Sequence, residues 1–384
     1  MSWTKNKTYL LLITALLVML WVAWNLHQKL ALFGNSDTQS LPLSPEFESH
    51  WQAFYLEQKI EEQETFEGWR QRISNTNPNL WDFWLKQLHG LSPELAYSLL
   101  KDPPVDSLIK EVTNFWTSSK PEIKHAKASL FDILSRHHSL QKLTKKYHLN
   151  GSSTQTDSPD NGLYFRTEKP LKIIGMIGLF QYQTALTDST IWVGLDMFMN
   201  ENYRYYPSVE HLYQYQTRRT NPCYLPVSVA RTLAEDWVKE NIMPASTHES
   251  SLLDQIIMEG KILACVRWML PEVHDSLLLG YSSVQWDWIQ KNQNKVWRDL
   301  VSKDLLFSRD PAVVTQYLSD GPFSSGYPPQ SPPAIGLFLG DVIVQKWLKN
   351  IQEPESLPPW ERLLKLKDIK SSKVLRASEY KGRA

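Results

Sequence analysis

Residues 171–207, LKIIGMIGLFQYQTALTDSTIWVGLDMFMNENYRYYP, constrain the fold more than any other stretch of the chain. Two short runs rich in Ile, Leu and Val, residues 171–180 and 190–198, lie either side of a polar segment, residues 184–189, which is the pattern of paired strands. An aromatic loop with Tyr203, Tyr205 and Tyr206 follows at once. Upstream of this small sheet, apolar positions recur at helical spacing, as at Phe47, Trp51 and Phe54 and again at Trp81, Trp84 and Leu88. The expected fold class is α/β and predominantly helical, a small sheet combined with long helices.

Proline and polar breaks set the organisation. Residues 75–79 and the pair Pro103 and Pro104 end or separate helices, because proline lacks the N–H donor and restricts its predecessor. The segment GSSTQTDSPDNG, residues 151–162, is too polar to be buried and leads into the strands. The expected division is a membrane anchor at 1–34, a linker at 35–46, a helical region at 47–150 and an α/β domain at 163–384, with 47–384 folding as one unit.

The first segment carries its own signal. Residues 9–26, YLLLITALLVMLWVAWNL, are uncharged and apolar, preceded by Lys5 and Lys7. At a rise of 1.5 Å per residue, such a helix nearly crosses a bilayer core of about 30 Å. A cleaved signal peptide has a shorter apolar core and a small-x-small site, whereas this stretch ends in Trp24 and Leu26, so an uncleaved anchor is the favoured reading. The flanking lysines keep the N-terminus cytoplasmic and send the remainder across the membrane. The expected location is the inner membrane, single-pass, with a periplasmic C-terminal domain.

Charge excludes one class of function. Lys and Arg number 41 against 41 Asp and Glu, and no basic stripe marks a nucleic-acid partner. Two cysteines, Cys223 and Cys265, leave no CxxC metal site. Cys265 falls in an apolar helical pattern and reads as a buried thiol ahead of a disulfide with Cys223.

Two helices carry the candidate chemistry. One begins at Pro226 and runs to about residue 242, with Val227, Ala230, Ala234, Trp237 and Val238 along a stripe and Glu235 beside it. The other, residues 250–269, has Leu252, Ile256, Leu263 and Val266 on a stripe that Glu259 interrupts. A carboxylate there needs a partner or a raised pKa; it can ligate metal, act as a base, or accept structural hydrogen bonds. Zinc hydrolysis by the HExxH pattern is unsupported, since the nearest string, starting at His248, has Leu252 where the second ligand belongs. Ser246 and Glu249 there have the spacing of a capping box. An atypical zinc site would have to draw on His211, His248 or His274 with Glu259.

Other motifs are equally sparse. No GxSxG elbow occurs. The segment GPFSSGYPPQSPPAIGLFLG, residues 321–340, lacks the Gly-Lys-Ser/Thr ending of a phosphate loop. Ser331 and Pro332 read as N-cap and first helical residue, with Gly336 and Gly340 letting another element approach that helix.

The ordered series IGLFQYQTALTDSTIWVGLDMFMNENYRYYP, SLLDQIIMEGK, DLLFSRDP, GPFSSG, SPPAIGLFLG and the terminal SEYKG resembles the gliding-motility lipoprotein GldB family of Bacteroidetes. The resemblance implies an envelope protein, membrane-associated, facing the periplasm and tied to movement over surfaces. That family is similar in turn to zincin-like metallopeptidases, in which a sheet precedes an HExxH helix and a later helix carries a glutamate. On this correspondence Ala234 and Val238 stand where the histidines belong, Glu235 where the base belongs and Glu259 at the later glutamate. The resemblance therefore implies a metallopeptidase scaffold without catalysis, without cofactor or metal. The family's lipid-bearing cysteine is also missing, since no cysteine precedes Cys223.

The function expected is binding of a protein or peptide partner in the cell envelope. The groove would be lined by Asp196, Tyr203, Tyr205, Tyr206, Glu235 and Glu259, an extended peptide adding to a strand edge. The same tyrosines are equally suited to core packing. The rival readings are an atypical zinc peptidase and a purely structural envelope component.

Overall fold

The computed structural model carries three strands among its described residues, β1 (Lys172–Met176), β2 (Thr184–Thr187) and β3 (Thr190–Gly194), in the order β1-β3-β2. It describes residues 60–76, 92–151, 171–187, 190–242, 250–351 and 369–383, together with Arg362, Leu364 and Lys365. The anchor and linker expected at residues 1–46, the positions Phe47, Trp51, Phe54, Trp81, Trp84 and Leu88, and His248 lie outside the described residues.

The two apolar runs do pair, as parallel neighbours with Ile174 opposite Trp192. The polar segment between them is itself a strand, β2, which pairs antiparallel with β3 and places Leu186 opposite Ile191. β3 is buried throughout, so its side chains are apolar in succession, whereas β2 at the edge is half-buried and reads polar. The second run also ends sooner than its apolar character suggests. β3 stops at Gly194, and Leu195–Phe198 form a 3-10 turn that carries Asp196.

Eleven α-helices surround the sheet among the described residues. Upstream lie α1 (Phe66–Thr76), α2 (Pro93–Lys101), α3 (Pro103–Trp116) and α4 (Pro121–Gly151), with Pro103 opening α3 where the sequence places a break. Downstream lie α5 (Tyr224–Asn241), α6 (Leu252–Met269), α7 (Asp275–Leu278), α8 (Ser283–Ser302), α9 (Pro311–Leu318), α10 (Ile335–Asn350) and α11 (Ser371–Ser378). Among the described residues no helix is long and apolar enough to cross a membrane. All of these elements lie within one unit, Leu43–Ala384.

Helix α6 is the centre of the fold, touched by α4, α5, α7, α9, α10 and α11. Its expected stripe of Leu252, Ile256, Leu263 and Val266 is buried, as are Ile257, Cys265 and Met269 on other sides. Its start is fixed by a capping box: the Ser251 hydroxyl accepts the Asp254 N–H while the Asp254 carboxylate accepts the Ser251 N–H. The box expected at Ser246 and Glu249 lies outside the described residues. Cys223 and Cys265 are both free, Cys265 buried in the core with its thiol pushed up by desolvation.

The α6/α10 crossing depends on two glycines. A Cβ on Gly260 would collide with the Gly340 carbonyl, and one on Gly340 would collide with the Ile256 carbonyl, so the backbones meet without side chains between them. The close approach expected at Gly336 and Gly340 is therefore present, Gly336 receiving the end of α9 at Tyr317 and Leu318. The expected cap is not. The helix starts at Ile335 after Ala334, which sits in the left-handed region with φ 45°, and Ser331 is buried within the preceding loop. That loop closes on itself instead, with Ser324 donating through both its N–H and its hydroxyl to the Pro332 carbonyl.

Candidate functional site

The chain leaves β1 through Ile177 and Gly178 into two successive non-glycine residues with left-handed backbone, Leu179 at φ 50° and Phe180 at φ 62°. L-residues avoid this region because Cβ crowds the following carbonyl, so an outside restraint is required. Asp196 supplies it. Its Oδ1 accepts the Gly178 N–H at 2.8 Å and its Oδ2 the Phe180 N–H at 2.5 Å. From the other side, His211 Nε2 donates to the Phe180 carbonyl at 2.6 Å. Asp196 is wholly buried, and desolvation raises its carboxyl to about 6 in spite of these backbone donors.

Above this turn the aromatic loop closes round Phe180. The Phe180 ring lies 6.4 Å from Tyr203, 6.4 Å from Tyr205 and 5.9 Å from Tyr206 between centroids, while Tyr203 sits 5.4 Å from each of the other two tyrosines, edge to face. Each tyrosine has its own support. Tyr206 is buried, its hydroxyl accepting the Met199 N–H and donating to the Asp196 carbonyl, both at 3.0 Å. Tyr203 donates to Glu111 of α3 at 3.2 Å, and burial followed by the Glu111 charge raises its phenol. Tyr205 accepts from Arg204, whose guanidinium also lies over its ring and pairs with Glu111. The choice left open between core and surface thus divides by residue: Tyr206 is core, and Tyr203 and Tyr205 are half-buried at the surface.

Glu235 and Glu259 form a second group. Arg231 of α5 lies between them, Nε 2.8 Å from Glu235 and Nη2 2.6 Å from Glu259. Thus the carboxylate interrupting the α6 stripe has a cation facing it across the α5/α6 contact. Ala234 and Val238 are buried in the core beside this trio. Neither side chain offers a donor atom, so the positions that the resemblance aligns with zinc ligands do not fit the ion. His211 is engaged with Phe180, and His274 caps α7 by accepting the Ser276 N–H. Among the described residues no group of three or more His, Cys, Asp or Glu side chains is placed to hold a metal ion.

Sequence reasoning missed the residues that organise both groups. Arg231 stands four before Glu235, a spacing that signals a helical ion pair. Glu111 and Phe180 give no such signal, since their partners lie 92 residues away for Tyr203 and 16 residues away for Asp196. A further cavity of about 540 Å³ lies beside Arg267, Asp341 and Lys346. Its Arg267 is already neutralised by a bidentate pair with buried Asp341, at 3.0 and 2.5 Å, and by Asp275.

The family described as Gliding motility protein GldB matches residues 55–382. No curated protein and no solved structure matches the chain. The match spans α1 to α11 and with them both side-chain groups, and on that extent the chain belongs to the GldB family of gliding motility proteins.

Proposed function

We propose that this protein is a non-catalytic component of the gliding machinery in the cell envelope, held to the membrane by its apolar residues 9–26, with the chain beyond about residue 35 on the periplasmic side, and that it works by binding a protein or peptide partner. The observation that carries the reading is the aromatic loop. Tyr203 and Tyr205 stay half-exposed on a base made rigid by Asp196, Tyr206 and Glu111, and amphipathic tyrosines on a fixed base suit partner recognition. The loop also lies beyond the carboxyl ends of β1 and β3, where open sheets place their binding crevices.

A degenerate metallopeptidase ancestry is consistent with the second group. Glu235 and Glu259, the positions aligned with a catalytic base and a later metal-binding glutamate, share the guanidinium of Arg231. A fixed organic cation there is shared by both carboxylates and occupies the space between them.

Two experiments test the reading. Co-purification from membranes should recover a partner that is lost with Tyr203→Ala combined with Tyr205→Ala, while the variant keeps its circular dichroism. Recovery of the same partner by the double variant refutes the loop as the binding surface. Purified protein should hold no stoichiometric zinc and show no chelator-sensitive proteolysis. One zinc per chain, released by Glu259→Gln, would establish the enzyme instead.

A further inference from the structure

We propose that Phe180 is the chain's own occupant of a ring-binding site, and that an aromatic side chain of the partner takes its place in the box of Tyr203, Tyr205 and Tyr206. The inference deepens the partner-binding reading and rests on it for the source of the incoming ring.

Three observations carry it. Phe180 touches all three tyrosine rings yet remains half-exposed, so it fills the box from the solvent side. It does so from a backbone conformation that an L-residue avoids, immediately after another such residue, in the short connection between β1 and β2. Side-chain bonds to Asp196 and His211 tie the segment, which lies outside both strands: β1 ends at Met176 and β2 begins at Thr184. The walls, by contrast, do not depend on Phe180. Tyr206 is held by Met199 and Asp196, Tyr203 by Glu111 and Tyr205 by Arg204, so the box keeps its shape when the plug leaves.

The chemistry of the walls selects the ligand. Three tyrosines arranged edge to face present both ring faces and ring edges, which complement the quadrupole of another aromatic ring and gain nothing comparable from an aliphatic chain. A quaternary ammonium group also suits tyrosine faces, but Arg204 already covers Tyr205 with positive charge, and the resident occupant is neutral. The class is therefore a phenylalanine- or tyrosine-like side chain on a peptide.

The test uses full-length protein and N-acetyl-phenylalaninamide, followed by NMR of the tyrosine rings. Phe180→Ala should bind this probe at least tenfold more tightly than the parent, prefer it to N-acetyl-leucinamide and to tetramethylammonium, and lose the gain when Tyr205→Ala is added. A folded Phe180→Ala protein with unchanged affinity, or one that prefers either control, overturns the proposal. Should that variant fail to fold, 4-fluorophenylalanine at position 180 of the parent gives the same answer. Saturating probe should move its fluorine resonance to the solvent-exposed value, and an unmoved resonance overturns the proposal. Partner capture that needs Tyr203 and Tyr205 but ignores both Phe180 and the probe also overturns it and leaves the broader reading standing. Tight probe binding by Phe180→Ala with no partner captured supports the ring site and removes only the broader reading.

Discussion

Asp196 holds the strained turn shut, because one buried carboxyl closes a turn that two non-glycine residues would otherwise leave. Asp196→Asn keeps one acceptor and turns an amide N–H₂ toward a backbone N–H, so it should lower stability by about 1–3 kcal/mol near pH 4 in urea titrations. The pH dependence has a definite sign. Burial raises the folded carboxyl from 3.8 to about 6, so the folded state holds the proton more tightly and loses stability as pH rises through that window. The parent should lose about 2 kcal/mol relative to Asp196→Asn between about pH 4 and pH 6, out of about 3 kcal/mol over the whole titration. A gap that widens with rising pH would contradict burial as the dominant cause. A second ordering concerns Arg231. Arg231→Met leaves part-buried Glu259 without its cation and should cost about 1–3 kcal/mol, whereas Glu235→Gln breaks only an exposed helical pair and should cost under about 0.5 kcal/mol. Equal costs in chemical denaturation would show that the two carboxylates are not distinguished by burial.

At the scale of elements, the α6/α10 crossing is set by backbone against backbone. Gly340→Ala places a methyl against the Ile256 carbonyl and the Gly260 N–H, neither of which can turn aside. Its expected cost is about 3 kcal/mol, larger than for Gly336→Ala, which meets the flexible Leu318 side chain and the Tyr317 carbonyl at a wider distance. Thermal denaturation of the two variants checks the order. The close approach to α10 was legible from Gly336 and Gly340, four apart on one helix, but not which helices come near: Gly340 meets Gly260 of α6, whereas Gly336 meets α9. Also legible were the β1 and β3 runs and the α5 and α6 stripes, whose burial follows from hydrophobic periodicity. β2 was not legible, since a four-residue edge strand, TALT, carries too few alternations to separate from a loop. The cap of α10 misled for another reason. Ser331-Pro332 has the right residue types, but tertiary packing holds Ser331 inside the loop and lets Ala334 take the strained position. The site was legible only by residue type: the tyrosines and the two glutamates stand out in the sequence, while the partners that fix them, Glu111, Phe180 and Arg231, are supplied by the fold.

At the scale of the whole chain, the upstream helices are tied to the sheet and to the later helices by side chains that reach across. The Trp116 indole donates to the Leu195 carbonyl at 3.0 Å, beside the turn that carries Asp196. Trp237 donates to Thr144 at 3.3 Å, and Arg136 reaches the Trp268 carbonyl. Glu111 joins the same set by holding Tyr203 and Arg204, so the aromatic box has one wall anchored on α3. A core assembled this way cannot be divided at residues 151–162 without exposing Trp116, Ile133 and the faces they cover. Heat unfolding followed by far-ultraviolet dichroism and by tryptophan fluorescence should therefore give coincident midpoints, and a fragment beginning at residue 163 should show no cooperative transition. Trp116→Phe removes the indole's five-membered ring together with its N–H, which takes the indole donor from the Leu195 carbonyl and opens a void in the core, at a cost of about 3 kcal/mol, or several degrees in midpoint. The change should loosen the Asp196 turn as well, read as faster amide exchange at Gly178 and Phe180. Two separated midpoints, or a fragment that melts cooperatively alone, would mean that the upstream helices are an attachment to the binding domain and not part of it.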